Sequence, residues 1–349
     1  MPGNLAILAA AGSRKTQYIV DSALAVSDGR VLITTYTNEN QRQIIQRIEK
    51  QVGAVPPNIT IMGWFAFLIA QCAKPYQRAR FGDPLTISGL NFKGSRSRFT
   101  KKSEKRYFLD SNNDLFRDGV SDFVVALNDD TNGALVRRLE NIYTHIFIDE
   151  IQDLVGYDLD VLDMLMASRI KLILVGDPRQ RTLSTNIGTR NKKFRGAGII
   201  DWFDQRKEIC EMQTREISYR CNQAICDFAD AIYPDMPRTH SSDVAETGHD
   251  GIFYVSREEV ETYLTVYDNV IILRHDRRAD TLGLPAMNIG VSKGSTFDRV
   301  MIFPTQPMVK YLKERNPALL KAPEKLYVAA TRARFSVTFV VDNPDVFGK

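Results

Sequence analysis

The stretch NLAILAAAGSRKTQYIV, residues 4 to 20, runs from an apolar segment through small residues and a lysine into an amphipathic segment. This order predicts a strand, a loop and a helix, which is the usual setting for a loop that binds phosphate. The usual motif reads G-x-x-x-x-G-K-[ST], and Arg14 stands where the glycine before the lysine is expected. The stretch therefore predicts a nucleotide site in its standard form, a modified one, or a relic.

Strand-like and helix-like segments alternate through the first half of the chain. Short β-branched runs include RVLITTY (30–36), HIFID (145–149) and KLILVGD (171–177), with amphipathic helical stretches between or after them. This alternation predicts a parallel sheet with helices on both faces and ligand sites where the strands end. The rhythm resumes after residue 215, which predicts a second, smaller α/β domain.

Residues from about 72 to 140 interrupt the alternation and are interpreted as an insertion. They include KGSRSRFTKKSEKR, residues 93 to 106, with seven basic side chains against one acid. This stretch is either a solvated loop or a basic contact for nucleic-acid phosphates, and its composition leaves both open.

The overall composition is that of a globular protein, with 44% hydrophobic residues, 25% charged residues and a net charge of +4. No apolar run approaches the roughly 18 residues that a bilayer span needs, and no signal-peptide pattern begins the chain. The four cysteines form no C-x-x-C pair, which favours reduced thiols. We therefore expect a cytoplasmic protein with no membrane partner. The isolated histidines are interpreted as structural or surface residues: His145, His240, His249 and His275.

The run HIFID ends in Asp149, and Glu150 follows directly, so that two carboxylates are adjacent. One acid can hold a magnesium ion while the other orients a water molecule. Gln180 follows another strand-like run, where a neutral amide could sense a terminal phosphate. Each feature is weak alone, but together with the small-residue loop they indicate nucleotide chemistry.

Seven motifs in order resemble those of a superfamily 1 helicase of the UvrD/Rep type. They read AAAGSRKT, TTYTNEN, FIDEIQD, VGDPRQ, SYRCN, SKGSTFD and LYVAATRAR, and they span nearly the whole chain. The resemblance implies an α/β protein with two RecA-like parallel-sheet P-loop NTPase domains and a mostly helical insertion in the first. The expected boundaries are 1–71 and 141–215 for the first domain, 72–140 for the insertion and 216–349 for the second domain.

The resemblance also implies ATP and Mg²⁺ as cofactors, with ATP hydrolysed between the two domains. Lys15 would contact the β- and γ-phosphates, while Thr16 and Asp149 would bind the metal. Glu150 would act on the attacking water and Gln180 on the γ-phosphate. The remaining residues implied for the nucleotide are the loop residues Gly12, Ser13 and Arg14, the base-stacking Tyr219, the arginine fingers Arg220 and Arg332, and Gly294 and Thr296 of KGSTFD.

A second group of residues is implied for the nucleic acid. Thr37 and Asn38 match positions that contact the backbone of the strand, and Tyr36 and Trp64 match aromatic residues, or their neighbours, near the bases. Stacking on an aromatic ring is worth roughly 1–3 kcal/mol per base. Ordinary core packing is the alternative for both rings.

Two further departures from the family shape the functional expectation. Leu183 and Thr185 replace stacking aromatics, so gripping the strand would depend more on backbone contacts and on basic loops, including RNKKFR at 190–195. The interval between SYRCN and SKGSTFD, residues 223 to 291, has no room for the large accessory domain of typical relatives.

We therefore expect an ATP-dependent single-stranded DNA translocase or helicase that acts with a partner such as a nuclease. The residues do not separate DNA from RNA. The alternative is a nucleotide-binding regulatory or interaction subunit of a DNA-repair or phage-defence complex, with weak or no hydrolysis.

Overall fold

The computed structural model describes residues 3–94, 96, 99–182, 185, 188–242 and 246–347. The chain divides into two compact units. The first unit comprises Met1–Leu8, Lys15–Pro178 and Leu183–Gln213. The second comprises Ala9–Arg14, Arg179–Thr182 and Thr214–Lys349, so it includes two short segments from the first half of the sequence.

A six-stranded sheet forms the centre of the first unit, in the strand order β3-β2-β6-β7-β1-β8. The helices and strands as far as Arg215 are β1 (Asn4–Ala9), α1 (Lys15–Leu24), β2 (Val31–Thr35), α2 (Asn38–Val52), β3 (Ile59–Gly63), α3 (Trp64–Phe67), α4 (Lys74–Tyr76), α5 (Arg78–Phe81), β4 (Leu90–Asn91), β5 (Leu115–Phe116), α6 (Val120–Asp130), α7 (Ala134–Ile142), β6 (His145–Asp149), α8 (Tyr157–Met166), β7 (Lys171–Gly176), α9 (Ile199–Asp204) and β8 (Cys210–Arg215).

The central strands of this sheet pair in parallel. β2 pairs with β3 and β6, and β7 pairs with β6 and β1. All five residues of β2 are buried, as expected for a parallel strand that is covered on both faces. Because β1, β7 and β6 are neighbours and run in one direction, the segments that follow them begin at the same edge of the sheet.

The segment interpreted as an insertion shares its core with the sheet. Phe108, Phe123 and Leu127 are fully buried and belong to one cluster with Leu32 and Ile146 of the central strands. Helices α4 to α6 and the short pair β4 and β5 lie within residues 72–140, and α7 begins there and ends at Ile142. The boundaries 72 and 140 stay a prediction.

The second unit contains a five-stranded sheet in the order β11-β15-β14-β12-β13, and every pair is parallel. Its elements are β9 (Ile217–Ser218), α10 (Gln223–Asp230), β10 (His240–Ser241), β11 (Gly251–Val255), α11 (Val260–Val266), β12 (Val270–Arg274), β13 (Met287–Asn288), β14 (Phe297–Phe303), α12 (Gln306–Glu314), α13 (Pro323–Ala330) and β15 (Ala333–Val340). The predicted α/β class with parallel sheets is confirmed. Over the described ranges, no helix is long and apolar enough to cross a membrane.

Candidate nucleotide and nucleic-acid sites

The two predicted metal ligands meet in the first unit. Thr16 stands in the first turn of α1, and its hydroxyl donates a hydrogen bond to Asp149 Oδ2 at 3.1 Å. Asp149 ends β6, and its other oxygen accepts from the backbone N–H of Glu150 at 2.9 Å. A strand end and a helix start thus place one hydroxyl and one carboxylate side by side.

Burial and a neighbouring charge perturb this carboxylate. Burial, and after it the negative charge of Glu150, raise the pKa of Asp149 to about 7, although Lys15 and the Thr16 hydrogen bond act in the opposite direction. A divalent cation would favour the ionised carboxylate, since opposite charges attract strongly in a buried position.

The donor set fits magnesium when a nucleotide supplies the rest. Mg²⁺ is commonly held by one or two protein oxygens together with phosphate oxygens and water. Among the described residues, no group of three or more His, Cys, Asp or Glu side chains is placed to hold a metal by itself. Thr16 and Asp149 therefore suit a metal that arrives with phosphate rather than a structural ion.

Gln152 fixes the position of Glu150, although the sequence assigned it no role. Its amide nitrogen donates to Glu150 Oε2 at 2.5 Å, and its amide oxygen accepts from the backbone N–H of Asp177 at 3.1 Å. The side chain is 1% exposed. A Cβ at Gly176 would collide with this amide oxygen and come within 2.7 Å of Ile151. Gln152 thus ties the end of β6 to the end of β7, and its place in the quoted motif FIDEIQD was the available signal.

Gly12 allows the small-residue loop to pack closely within the second unit. Its φ is 77°, and its carbonyl accepts from the backbone N–H of Tyr219 at 3.0 Å. A Cβ at Gly12 would lie 2.6 Å from Ser218 Oγ and 2.7 Å from Arg220 Cβ. A side chain is therefore excluded here by both backbone conformation and space.

Ser13 and Arg14 continue the loop in different ways. Ser13 is 3% exposed, and its hydroxyl oxygen is buried with no hydrogen-bond partner among the described residues. Buried polar atoms are normally satisfied, so this hydroxyl suits a site that receives a polar ligand. Arg14 is exposed and has a φ of 59°, the left-handed conformation that glycine adopts readily. Its guanidinium carbon lies 4.0 Å from the ring centroid of Tyr219.

Gln180 and Arg332 also meet in the second unit. The Arg332 side chain is 2% exposed, and its Nη2 donates to Gln180 Oε1 at 3.1 Å. The same guanidinium donates to the carbonyls of Ser295 and Val328 at 3.3 and 3.2 Å. Arg220, the other predicted arginine finger, donates from Nη1 to the Thr331 carbonyl at 3.1 Å.

Arg179 holds the turn that carries Gln180, a role that was not predicted from the sequence. Only 6% exposed, it forms an ion pair with Asp230 at 3.1 Å and lies 5.1 Å from the ring centroid of Tyr327. The hydroxyl of Tyr233 donates to its carbonyl at 3.3 Å. In the sequence, the available signal for this role was the presence of a charged residue, Arg179, directly before Gln180 in GDPRQ.

Gly294 and Thr296 lie just before the first residue of β14. Gly294 has a φ of 89°, and Thr296 is exposed immediately before Phe297, where the strand begins. Their predicted contacts with the nucleotide stay predictions.

The predicted backbone contacts for the nucleic acid lie at the start of α2. The Thr37 hydroxyl accepts from the Asn40 N–H at 3.2 Å and caps the helix. Asn38 is exposed, and its side-chain oxygen accepts from Gln41 at 3.1 Å. Both residues present polar groups at the helix N-terminus, which suits phosphate contact.

An aromatic row extends from Tyr36, which is half-buried. The Tyr36 ring centroid lies 5.8 Å from that of Phe65, and Phe65 lies 6.2 Å from Phe92. Phe92 is 63% exposed. Sequence reasoning missed Phe65 and Phe92, because nothing in the local sequence places residue 92 beside residue 65.

Trp64 lies in the hydrophobic core. Its side chain is 1% exposed, and its indole N–H donates to Asp158 at 2.8 Å. Asp158 also accepts from Ser121 and Thr185, and Thr185 is likewise 1% exposed. The core alternative for Trp64 is therefore the one that the structure shows. Leu183 lies outside the described residues.

The basic stretch at 93–106 is partly neutralised within the first unit. Arg96 contacts Asp122 at 3.0 Å, and Lys102 forms an ion pair with the same carboxylate, which is fully buried. In RNKKFR, Arg190 pairs with Asp160. Ser95, Ser97 and Arg98 lie outside the described residues, while Lys93, Lys101 and Lys105 are exposed. Only part of the positive charge therefore faces solvent.

Residues 93–183 match the family model described as the UvrD/REP helicase N-terminal domain. The resemblance to superfamily 1 helicases of the UvrD/Rep type is confirmed. No curated protein matches the sequence.

Solved structures of viral helicases are similar to this chain in fold. The helicase nonstructural protein 10 of Arterivirus is similar over 99% of this chain and 61% of its own, at 16% identity and a TM-score of 0.51. Its complex with DNA is similar over 99% of this chain and 62% of its own, at 14% identity and a TM-score of 0.50. The likeness shows the fold, and this chain spans less than two thirds of the length of the viral protein.

Proposed function

We propose that this chain is an ATP-driven motor that acts on single-stranded nucleic acid. The observation that carries the proposal is the contact between Thr16 and Asp149, next to Lys15 and Glu150. A hydroxyl, a lysine and two carboxylates at a helix start and a strand end are the groups that phosphoryl transfer from a nucleotide requires.

The chain's own residues would divide the work as follows. Thr16 and Asp149 would hold the magnesium ion, which neutralises phosphate charge, and Lys15 would neutralise more of it. Glu150, fixed by Gln152, would orient the attacking water and accept its proton. Gln180, Arg220 and Arg332 would contact the terminal phosphate in the roles that the resemblance implies. Positioning and charge neutralisation are the main sources of catalysis in this reaction.

The proposed strand is DNA, and its first contacts are Tyr36, Thr37 and Asn38. The family model and the DNA complex of the viral helicase support a nucleic-acid partner. The row from Tyr36 through Phe65 to Phe92 offers aromatic surface for stacking, which does not depend on base sequence. Phe92→Ala should lower the affinity for a single-stranded oligonucleotide, whereas Val52→Ala, at an equally exposed apolar position, should not.

A protein partner such as a nuclease belongs to the same proposal. The described residues between 223 and 291 form α10, α11 and strands β10 to β13. This interval therefore builds the second unit itself, which supports a motor whose accessory functions come from another chain.

The decisive experiment measures ATP hydrolysis with and without single-stranded DNA. The native chain should show turnover that DNA stimulates, and Lys15→Ala should abolish it. Lys50→Ala, an exposed lysine near the end of α2, is the matched control and should leave turnover unchanged. DNA-independent turnover, or turnover that survives Lys15→Ala, would contradict the motor.

A nucleotide-binding regulatory subunit is the second candidate. The observation that favours it is the set of three protein acceptors around the Arg332 guanidinium, since an arginine held in this way must exchange partners before it can contact phosphate. This candidate predicts ATP binding that depends on Lys15, without turnover in the presence of DNA.

A further inference from the structure

Arg14 and Tyr219 form a contact that the family resemblance does not explain. The guanidinium lies over the tyrosine ring at 4.0 Å, within the range of a cation–π interaction. The arginine occupies the position where the phosphate-loop motif has glycine, and the tyrosine is the residue implied for stacking on the base. One contact thus joins the substituted loop residue to the base-binding ring.

The backbone holds the two residues in register. Tyr219 N–H donates to the Gly12 carbonyl at 3.0 Å, and Ala11 N–H donates to the Tyr327 hydroxyl at 3.3 Å. Gly12 packs so closely on Ser218 and Arg220 that no side chain fits there. The loop and the tyrosine therefore move together, and Arg14 stays within reach of the ring.

Both side chains remain accessible. Arg14 is exposed and Tyr219 is 44% exposed. Because both side chains are exposed, a competing flat group can displace the guanidinium at small cost.

We propose that Arg14 competes with the base of the bound nucleotide for one face of the Tyr219 ring. The inference rests on the proposed function, because it requires nucleotide binding at this loop. A guanidinium 4.0 Å from the centroid fills the space in which a base would stack. The chain therefore binds nucleoside triphosphates mainly through the phosphate tail and gains little affinity from the base.

The size of the effect follows from the exposure of the contact. An exposed cation–π interaction contributes about 0.5–1 kcal/mol, which corresponds to about a two- to fivefold change in affinity. Any effect of the positive charge of Arg14 on the phosphates is common to all ligands that carry the same phosphate tail. A comparison of two ligands with the same tail separates these effects.

The test uses Mg-ATP and Mg-tripolyphosphate as ligands and measures both dissociation constants by titration calorimetry. Because both ligands carry three phosphates, the ratio of the two affinities isolates the contribution of the nucleoside, base and ribose together. Arg14→Gln removes the guanidinium and its charge but keeps a polar side chain, and Arg42→Gln on α2 is the matched control. We expect Arg14→Gln to raise the preference for ATP over tripolyphosphate about two- to fivefold, with no change for Arg42→Gln.

A double-mutant cycle with Tyr219→Ala assigns the effect to the ring. In the Tyr219→Ala background, Arg14→Gln should no longer change the preference. An equal change in both backgrounds, or no change in either, would overturn the inference. A lower preference for ATP after Arg14→Gln would also overturn it, because it would place the base and the guanidinium on opposite faces of the ring.

The same titrations distinguish failure of the inference from failure of the proposed function. If the native chain and Arg14→Gln bind neither ligand, or bind both regardless of Lys15→Ala, the nucleotide site itself is wrong and the inference falls with it. If Lys15-dependent ATP binding is present without coupling between Arg14 and Tyr219, only the competition is wrong.

Discussion

The carboxylate cluster of the first unit and the contact between Arg14 and Tyr219 in the second unit differ in how firmly they are held. Asp149 and Gln152 are buried and hydrogen-bonded, and Gln152 fixes Glu150. Arg14 and Tyr219 are exposed and rest on one another through a stacking contact. Bond-breaking chemistry needs groups held to within a fraction of an ångström, whereas stacking on a base tolerates variation. The groups proposed for the chemistry are thus held more firmly than the groups proposed for recognition of the base.

The largest expected effect tests the carboxylate side of this comparison. Glu150→Gln should lower ATP turnover by about 10²- to 10⁴-fold, the usual contribution of a general base, while ATP binding persists. Turnover is measured at saturating ATP with DNA present, and Glu49→Gln, exposed on α2, is the control. Equal losses of binding and turnover would show that Glu150 acts on binding rather than on the water.

A second substitution tests whether the hydrogen bonds of Gln152 hold the ends of β6 and β7 together. Gln152→Ala removes hydrogen bonds to Glu150 and to Asp177 N–H, at an expected cost of about 1–3 kcal/mol in the free energy of unfolding. Urea denaturation measures this loss, and Gln51→Ala at an exposed position should cost little. Unchanged stability would mean that Gln152 does not tie the two strand ends together.

Burial also affects the pKa of His249 in the second unit. Its ring stacks on the rings of Phe253 and Tyr267, with centroid-to-centroid distances of 3.7 and 3.8 Å. Its Nε2 lies 2.8 Å from the Tyr263 hydroxyl. Burial, and after it the positive charge of Arg299, lower the pKa of His249 to about 4, although Asp250 acts in the opposite direction.

This histidine should make the second unit sensitive to acid. Between about pH 6.5 and pH 4 the unfolded chain binds a proton that the folded chain does not, so stability is lost as the pH falls through this window. His249→Phe should flatten the pH dependence of the melting temperature in that range, whereas His240→Phe, at an exposed position, should not. An equally steep profile in His249→Phe would refute the assignment.

The smallest expected effect concerns the loop backbone. Arg14→Gly places glycine at a φ of 59°, so relief of backbone strain and greater freedom of the unfolded chain should nearly cancel, within about 1 kcal/mol. ATP affinity should stay the same or rise, because the ring of Tyr219 becomes available to the base. Leu282→Gly, at an exposed position with a φ of 57° in the second unit, controls for the backbone effect. A large loss of ATP affinity specific to Arg14→Gly would identify the arginine as a phosphate ligand.

Much of the fold could be predicted because it follows from local patterns. Short β-branched runs that alternate with helices have one economical arrangement, a parallel sheet with helices on its faces. The meeting of Thr16 with Asp149 follows from the same rule, since neighbouring parallel strands end at one edge of the sheet. The position of Gln152 near these strand ends could be predicted for the same reason. Its motif alone did not show that its side chain would bond to Glu150 and to the backbone N–H of Asp177.

Other features depended on long-range packing. The sequence left Trp64 open between the core and the nucleic acid, and the buried carboxylate of Asp158 draws its indole inward. Phe65 and Phe92 come together only because the segment near residue 92 folds back on α3. Likewise, acids distant in sequence neutralise Arg96 and Lys102, which no composition count could assign.

The sequence by itself determined the class of fold, the small-residue loop before α1 and the two acids at the end of β6, because these depend on residue type and spacing along the chain. Only the tertiary structure decided where Arg14 points, which aromatic rings stay exposed and which charges are neutralised. The physical reason is that the direction and burial of a side chain depend on neighbours from distant segments of the chain. The contact between Arg14 and Tyr219, which lie far apart in the sequence, is an example.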